Sequence, residues 1–366
     1  MFQLRILFAT AALAARAVSR GTAAVGLGIG LAALATAGAP AQAQQPELNL
    51  YSARHYQTDE ALYANFTRQT GIRINRIEAN DQAILERLRS EGERSPADVI
   101  LLVDAARLWR AEHDGMFQPL RSQVLEQRIP QHLRGEDRGD GPHWYGFSTR
   151  ARVIVYNKSM VDPALVRSYE DLARPELAGK VCTRTGSHPY MLSLIAAMTE
   201  HLGPEAAEKW AAGVVANFAR KPRGGDTDQI RAVAVGECAV ALTNTYYLVR
   251  LMRSAKPADR EVVSSVGMVW PNQDGWGTHV NVSGGAIARN APHREAAVRF
   301  LEYLASDQAQ VYLAEGNNEW PAVQELETGN AMLARLGKFK ADRLSLGLIG
   351  KAQTLAQRIV DRVGWR

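Results

Sequence analysis

The sequence predicts an α/β protein of two lobes with a ligand cleft between them. Three observations carry this. Strand and helix patterns alternate through the first hundred residues past position 43, and a second α/β unit begins near residue 179. Two long extended segments, 146–157 and 278–288, join the two with no internal repeat or flexible linker. The length of 366 residues also suits two packed units, since domains usually hold about 100–200 residues. With 46% hydrophobic, 22% charged and 7% aromatic residues, the chain is globular rather than disordered.

Residues 1–43 read as an export signal. They hold Arg5, Arg16 and Arg20 and no acid, then an uncharged Ala/Gly/Leu run over 21–39, then Ala41-Gln42-Ala43, the small-x-small pattern of a cleavage site. Cleavage is expected near Ala43, and the alternative is an uncleaved anchor, for which so much Gly and Ala is poorly suited. Without this segment 40 of the 43 basic residues face all 38 acidic ones. A balance so near zero is no footprint for nucleic acid.

Past the signal, Leu48-Asn-Leu-Tyr51 reads as a strand, and Thr58, Asp59 and Glu60 open a helix to about Gln69. Ile72 to Ile77 alternates apolar and polar residues, as a strand does. Asp81 heads a helix with Ile84, Leu85 and Leu88 on one face. Ala97 to Val103 is an apolar run short enough for a buried parallel strand, and Asp104 caps the helix after it. The β-α-β-α-β order predicts a parallel sheet with helices on both faces. In the second unit strands are expected near 179–182, 238–243 and 265–270, and helices near 189–202, 204–218, 226–236 and 246–254. Helical sequence resumes at 293–315 and continues to the C-terminus.

Two long extended segments imply that the chain crosses between lobes more than once, which makes a hinge. Lobe 1 takes 44–148, completed by part of 278–310. Lobe 2 takes 149–277, with C-terminal helices 311–366 packed on it. The only cysteines, Cys182 and Cys238, each open a short apolar run in what would be an oxidising compartment. A disulfide between them is expected, two buried thiols being the alternative.

Nothing points to an enzyme. The chain lacks G-x-x-x-x-G-K-[ST], H-E-x-x-H and G-x-S-x-G. Asp226-Thr-Asp228 brings two carboxylates together but heads a helix, where capping explains them. What stands out is tyrosine. Tyr56 (beside His55), Tyr190, and the adjacent pair Tyr246 and Tyr247 all fall where a strand gives way to a helix, the end of an α/β sheet where ligands collect. Phenolate is a hard anionic donor. With a free pKa of about 10 it yields its proton near neutrality only to a strong Lewis acid, ferric iron rather than ferrous iron or zinc.

On these residues the sequence resembles the periplasmic ferric-iron-binding proteins of ABC transporters, within the type II solute-binding fold. The resemblance runs from about Leu48 to about Pro321. It rests on Tyr-Ser-Ala-Arg-His-Tyr-Gln-Thr-Asp from Tyr51, on Thr149 to Tyr156, and on Gly236-Glu-Cys-Ala-Val-Ala-Leu-Thr-Asn-Thr-Tyr-Tyr247. Gly277-Thr-His-Val-Asn-Val-Ser-Gly-Gly285 and Asn317-Asn-Glu-Trp-Pro321 add to it. It implies iron ligands His55, Tyr56, Tyr190, Tyr246 and Tyr247, and a monomeric receptor that delivers Fe(III) to a membrane permease. It also implies that Arg150 and Arg152, on one side of their strand, balance phenolate charge, with Arg250 a further candidate. The Tyr190 loop departs from the pattern by reading Ser-His-Pro-Tyr, which puts His188 near the site. Some relatives complete the coordination with carbonate or phosphate, a choice the sequence leaves open. The competing expectation is a receptor for an organic solute, such as a polyamine, thiamine or a phosphorylated sugar, with tyrosines as stacking walls.

Overall fold

A computed structural model describes residues 45–54, 58–323 and 325–366. The export segment, His55 and Tyr56 lie outside the described residues. Among the described residues no helix is long and apolar enough to cross a membrane.

The first half runs β1 (Glu47–Ser52), α1 (Asp59–Thr70), β2 (Arg73–Glu78), α2 (Asp81–Glu91), β3 (Val99–Leu102) and α3 (Ala105–His113). β1 pairs in parallel with β2 and β3, as alternating strands and helices require. All four residues of β3 are buried, which is why that segment reads as an unbroken apolar run. Helix starts follow local chemistry: Asn80 and Asp104 accept from the backbone N–H groups of Ala83 and Ala106. Gly71, at φ 71°, ends α1 in the left-handed region.

β4 (Phe117–Gln118) and α4 (Gln123–Arg128) lead into β5 (Tyr145–Asn157). The second half follows with β6 (Val181–Cys182), α5 (Pro189–Leu202), α6 (Pro204–Ala216), α7 (Asp226–Ala234), β7 (Val240–Asn244), α8 (Thr245–Met252), α9 (Pro257–Ser265) and β8 (Val266–Val269). β9 (Val280–Ala288) then carries the chain back. The sheet order is β2-β1-β3-β9-β5-β7-β6. β5, with 13 residues, serves both halves: its first part pairs antiparallel with β9 and its second with β7 and β8. Two parallel sets are thereby joined through antiparallel neighbours. α9 is an element the sequence pattern did not suggest, started by Pro257 at its first position.

The helical stretch expected at 293–315 is two helices, α10 (Arg294–Leu304) and α11 (Asp307–Asn317), because Ser306 caps α11 by accepting from Ala309 N–H. β10 (Trp320–Pro321) then pairs with β5, Trp320 opposite Thr149. The chain ends in α12 (Ala331–Arg335), α13 (Leu346–Lys351) and α14 (Gln353–Val363). α14 lies on α5 and α6, while α13 lies on both α3 and α5, so the C-terminal helices also reach the first half. The main apolar core extends through both halves. A smaller one under α7 and α8 holds Val153, Ile230 and Leu248 around the Cys182–Cys238 disulfide, whose Cα atoms are 5.8 Å apart.

Candidate metal centre

Two strand-to-helix junctions meet here. β6 and β7 are parallel neighbours, so their carboxyl ends lie side by side. α8 begins directly after β7 and presents Tyr246, buried, and Tyr247, half-buried, with ring centroids 4.2 Å apart. α5 begins with Pro189, and His188 is its cap: Nδ1 accepts from Tyr190 N–H at 3.2 Å. This cap sets Tyr190 in the first turn, with its hydroxyl 3.1 Å from that of Tyr246, 56 residues away.

Guanidinium groups surround these phenols. Arg184, Arg150 and Arg152 lie 5.1, 5.5 and 6.0 Å from the centroid of the Tyr190 ring. Arg250 lies 5.9 and 5.5 Å from the Tyr246 and Tyr247 rings. Arg150 is fixed by donating to Val103 O at 2.7 Å and Ser283 Oγ at 3.3 Å. Arg152 pairs with Asp226 at 2.7 Å, and Arg184 approaches the same carboxylate at 3.4 Å. Burial, opposed by Arg150, holds the Tyr190 phenol above its ordinary pKa. The phenol therefore stays protonated at neutral pH, with guanidinium groups close to its ring.

Asp226 corrects one expectation. It is fully buried and accepts from Asn244 N–H at 2.7 Å as well as pairing with the arginines. Asp228 alone makes the cap contact, accepting from Gly225 N–H at 2.7 Å. Asp104 caps α3 as expected, and also accepts from Ser193 Oγ at 2.8 Å and Asn281 Nδ2 at 3.0 Å.

Behind the phenols, Arg150, Arg152, Tyr190, Asn244, His279 and Asn281 enclose about 10 Å³, the size of one water. His279 is buried there, its Nδ1 without a hydrogen-bond partner. Burial, with nearby arginines, pushes the pKa of both His279 and His188 down to about 3. The unfolded chain takes up these protons near pH 6.5, the folded chain only near pH 3, so U binds more protons in between. Stability should therefore fall as pH drops through that window. The urea midpoint is expected to decline steadily from pH 6.5 to 4, and less steeply in His279→Gln; an equal slope in the variant would remove His279 from this account.

Of the residues singled out in the sequence, Tyr190, Tyr246, Tyr247, Arg150, Arg152 and Arg250 come together here, while His55 and Tyr56 lie outside the described residues. Sequence reasoning missed Arg184 and His279. Arg184 stands just past the carboxyl end of β6, a position that could have flagged it. His279 lies within a motif already noted, but nothing in that motif marks it as buried against arginines.

The model of the bacterial extracellular solute-binding protein family matches residues 94–336. The chain belongs to that family. It is 48% identical over 323 residues to iron uptake protein A1 of Synechocystis, covering 88% of both chains. Among solved structures, the Trichodesmium protein IdiA (FutA), in complex with iron and citrate ligands, is 49% identical with a TM-score of 0.83, over 87% of this chain and all of that one (100%). The ferric binding protein of Campylobacter jejuni is 38% identical with a TM-score of 0.82, over 87% and 100%. The fold of this family member is thus the type II solute-binding fold, α/β with the mixed sheet described above.

Proposed function

We propose that the protein is a periplasmic receptor for ferric iron, not an enzyme, that binds the ion through Tyr190, Tyr246 and Tyr247, completes the shell with His55 and Tyr56, and delivers it to the permease of an ABC transporter. The observation that carries this is the 3.1 Å between the hydroxyl oxygens of Tyr190 and Tyr246. Adjacent donors at about 2 Å from an octahedral ion lie about 2.8–3 Å apart, so little movement is needed to seat one. Four phenolates exceed the +3 charge of the ion, and Arg150, Arg152, Arg184 and Arg250 offset the excess. Carbonate or phosphate suits any coordination position left open. The names of the iron uptake and ferric-binding relatives support the same cargo.

Capture works by closure. Lobe 2 (149–277, with 311–366) supplies Tyr190, Tyr246 and Tyr247, and lobe 1 (44–148, with part of 278–310) supplies His55 and Tyr56. One ion held by both favours the closed form over the open one. Export through residues 1–43, cleaved near Ala43, places this monomeric receptor where such a permease collects its cargo.

The test is optical and calorimetric. Titration with ferric citrate is expected to give an orange-red phenolate-to-iron charge-transfer band saturating at one iron per chain. A colourless protein that instead gives binding heat with a polyamine, thiamine or a sugar phosphate would overturn the proposal in favour of an organic ligand.

A further inference from the structure

The cap on α3 does more than a cap requires. A helix start needs one side-chain oxygen for one backbone N–H, and Asp104 meets that need with Oδ1, which accepts from Ala106 N–H at 2.9 Å. The same oxygen also accepts from Ser193 Oγ at 2.8 Å, and Oδ2 accepts from Asn281 Nδ2 at 3.0 Å. Asn281 is fixed in turn, its own Oδ1 accepting from Ala105 N–H at 2.9 Å. Asp104 and Ser193 are fully buried and Asn281 is 6% exposed, so these bonds are made away from solvent, where each is stronger than at a surface.

Three elements far apart in the chain meet at this carboxylate: the start of α3, β9, and α5, which Ser193 joins from 89 positions away. A buried carboxylate seldom stabilises a fold better than apolar residues of the same volume would, so its presence asks for a use. Its surroundings supply one. Ser193 stands three residues past Tyr190 on α5, one turn further along and on the same side of the helix. Val103, the residue before Asp104, accepts through its carbonyl from Arg150 Nη2 at 2.7 Å. That guanidinium group lies 5.5 Å from the centroid of the Tyr190 ring. The junction of β3 and α3 therefore holds both sides of one contact: Val103 fixes the arginine, and Asp104 fixes the helix that carries the phenol.

We infer that Asp104 and Ser193 are positioning residues of the metal centre, neither of them a ligand: their hydrogen bond seats the first turns of α5 against the β3–α3 junction and so sets where Tyr190 presents its oxygen, opposite Tyr246. This rests on the ferric reading above. A phenol held in place before the ion arrives loses less conformational freedom on binding it, the same role that partners behind the ligands play at other metal sites.

The experiment is a double-substitution cycle on the full mature chain, with ferric iron exchanged against a competing chelator and the visible band recorded. Ser193→Ala removes only the hydroxyl, and each oxygen of Asp104 keeps a donor, Ala106 N–H on one and Asn281 Nδ2 on the other. It is expected to weaken iron binding about 10-fold, the lower end of the usual cost of losing a group that orients a ligand, and to shift the band. Tyr190→Phe weakens binding further, and adding Ser193→Ala to Tyr190→Phe should change little more, because Ser193 acts through Tyr190. Losses that multiply, or a Ser193→Ala protein with the affinity and band of wild type, would overturn the inference. A role in folding alone gives that second result together with a lower thermal midpoint of the iron-free protein. If Ser193→Ala does not fold, Asp104→Asn is judged by the same cycle: asparagine caps a helix as well as aspartate does, but makes the bond to Ser193 a neutral one. A wild-type protein without the band overturns the ferric reading and this inference with it; a wild-type band with multiplying losses overturns this inference alone.

Discussion

Replacing Tyr246 and Tyr247 together by phenylalanine is expected to leave a folded, colourless protein. The buried Tyr246 ring and the half-buried Tyr247 ring keep their packing, since phenylalanine differs only by the oxygen. Tyr190 loses its partner at 3.1 Å, a loss of about 1 kcal/mol in a protein of this size and not enough to unfold it. For iron the change is far larger. Two of the three phenols gathered at the carboxyl ends of β6 and β7 vanish, and with them most of the anionic donors of the proposed site. The fall in affinity should exceed the roughly 10–100-fold that follows loss of an outer-shell partner. Iron content after chelator challenge, beside the thermal midpoint of the iron-free protein, checks both halves. Retained iron with the band intact would show that the tandem pair is not the centre.

Removing the disulfide by Cys182→Ala with Cys238→Ala should produce a large loss of stability. The bridge closes a loop across 56 positions that contains α5, α6 and α7. On the chain-entropy account, freeing that loop in the unfolded state lowers stability by about 4 kcal/mol. At roughly 2 °C per kcal/mol for a large domain, the midpoint should drop by about 8 °C. Alanine leaves no buried hydroxyl to confuse the comparison, and the neighbouring Ile230, Val153 and Leu248 keep that small core dry. Calorimetry of the variant against wild type measures it; a loss below about 1 kcal/mol would contradict the loop-entropy account.

Much of this was legible in one dimension. Periodicity and capping chemistry are local, so α5 appears at the residues its pattern suggested, and Asp104 caps α3 where an acid precedes an apolar helix. Tyrosines at strand-to-helix junctions were legible because a parallel sheet gathers its carboxyl ends on one side, whatever the residues between. Local signals failed where distant contacts decided. Asp226 looks like a cap, but two arginines from other strands and loops draw it inside. α9 buries no apolar side chain, only Asp259, and its proline start is a signal shared with turns.

The sequence alone determined most of the order of strands and helices, the clustering of tyrosines, and the strand ends on which Tyr190, Tyr246 and Tyr247 sit. Each follows from short-range rules of backbone geometry and donor chemistry. Only the tertiary structure decided that Tyr190 and Tyr246 meet at 3.1 Å, that Arg184 faces them, and that Arg54 locks onto Asp59 under Glu319. Tyr190 and Tyr246 are 56 positions apart, and Arg54 and Glu319 come from opposite ends of the described chain, while the nearer pairs are turned towards each other by the surrounding packing. These distances depend on how strands pair and how side chains fill a shared interior, which no local stretch of chain encodes.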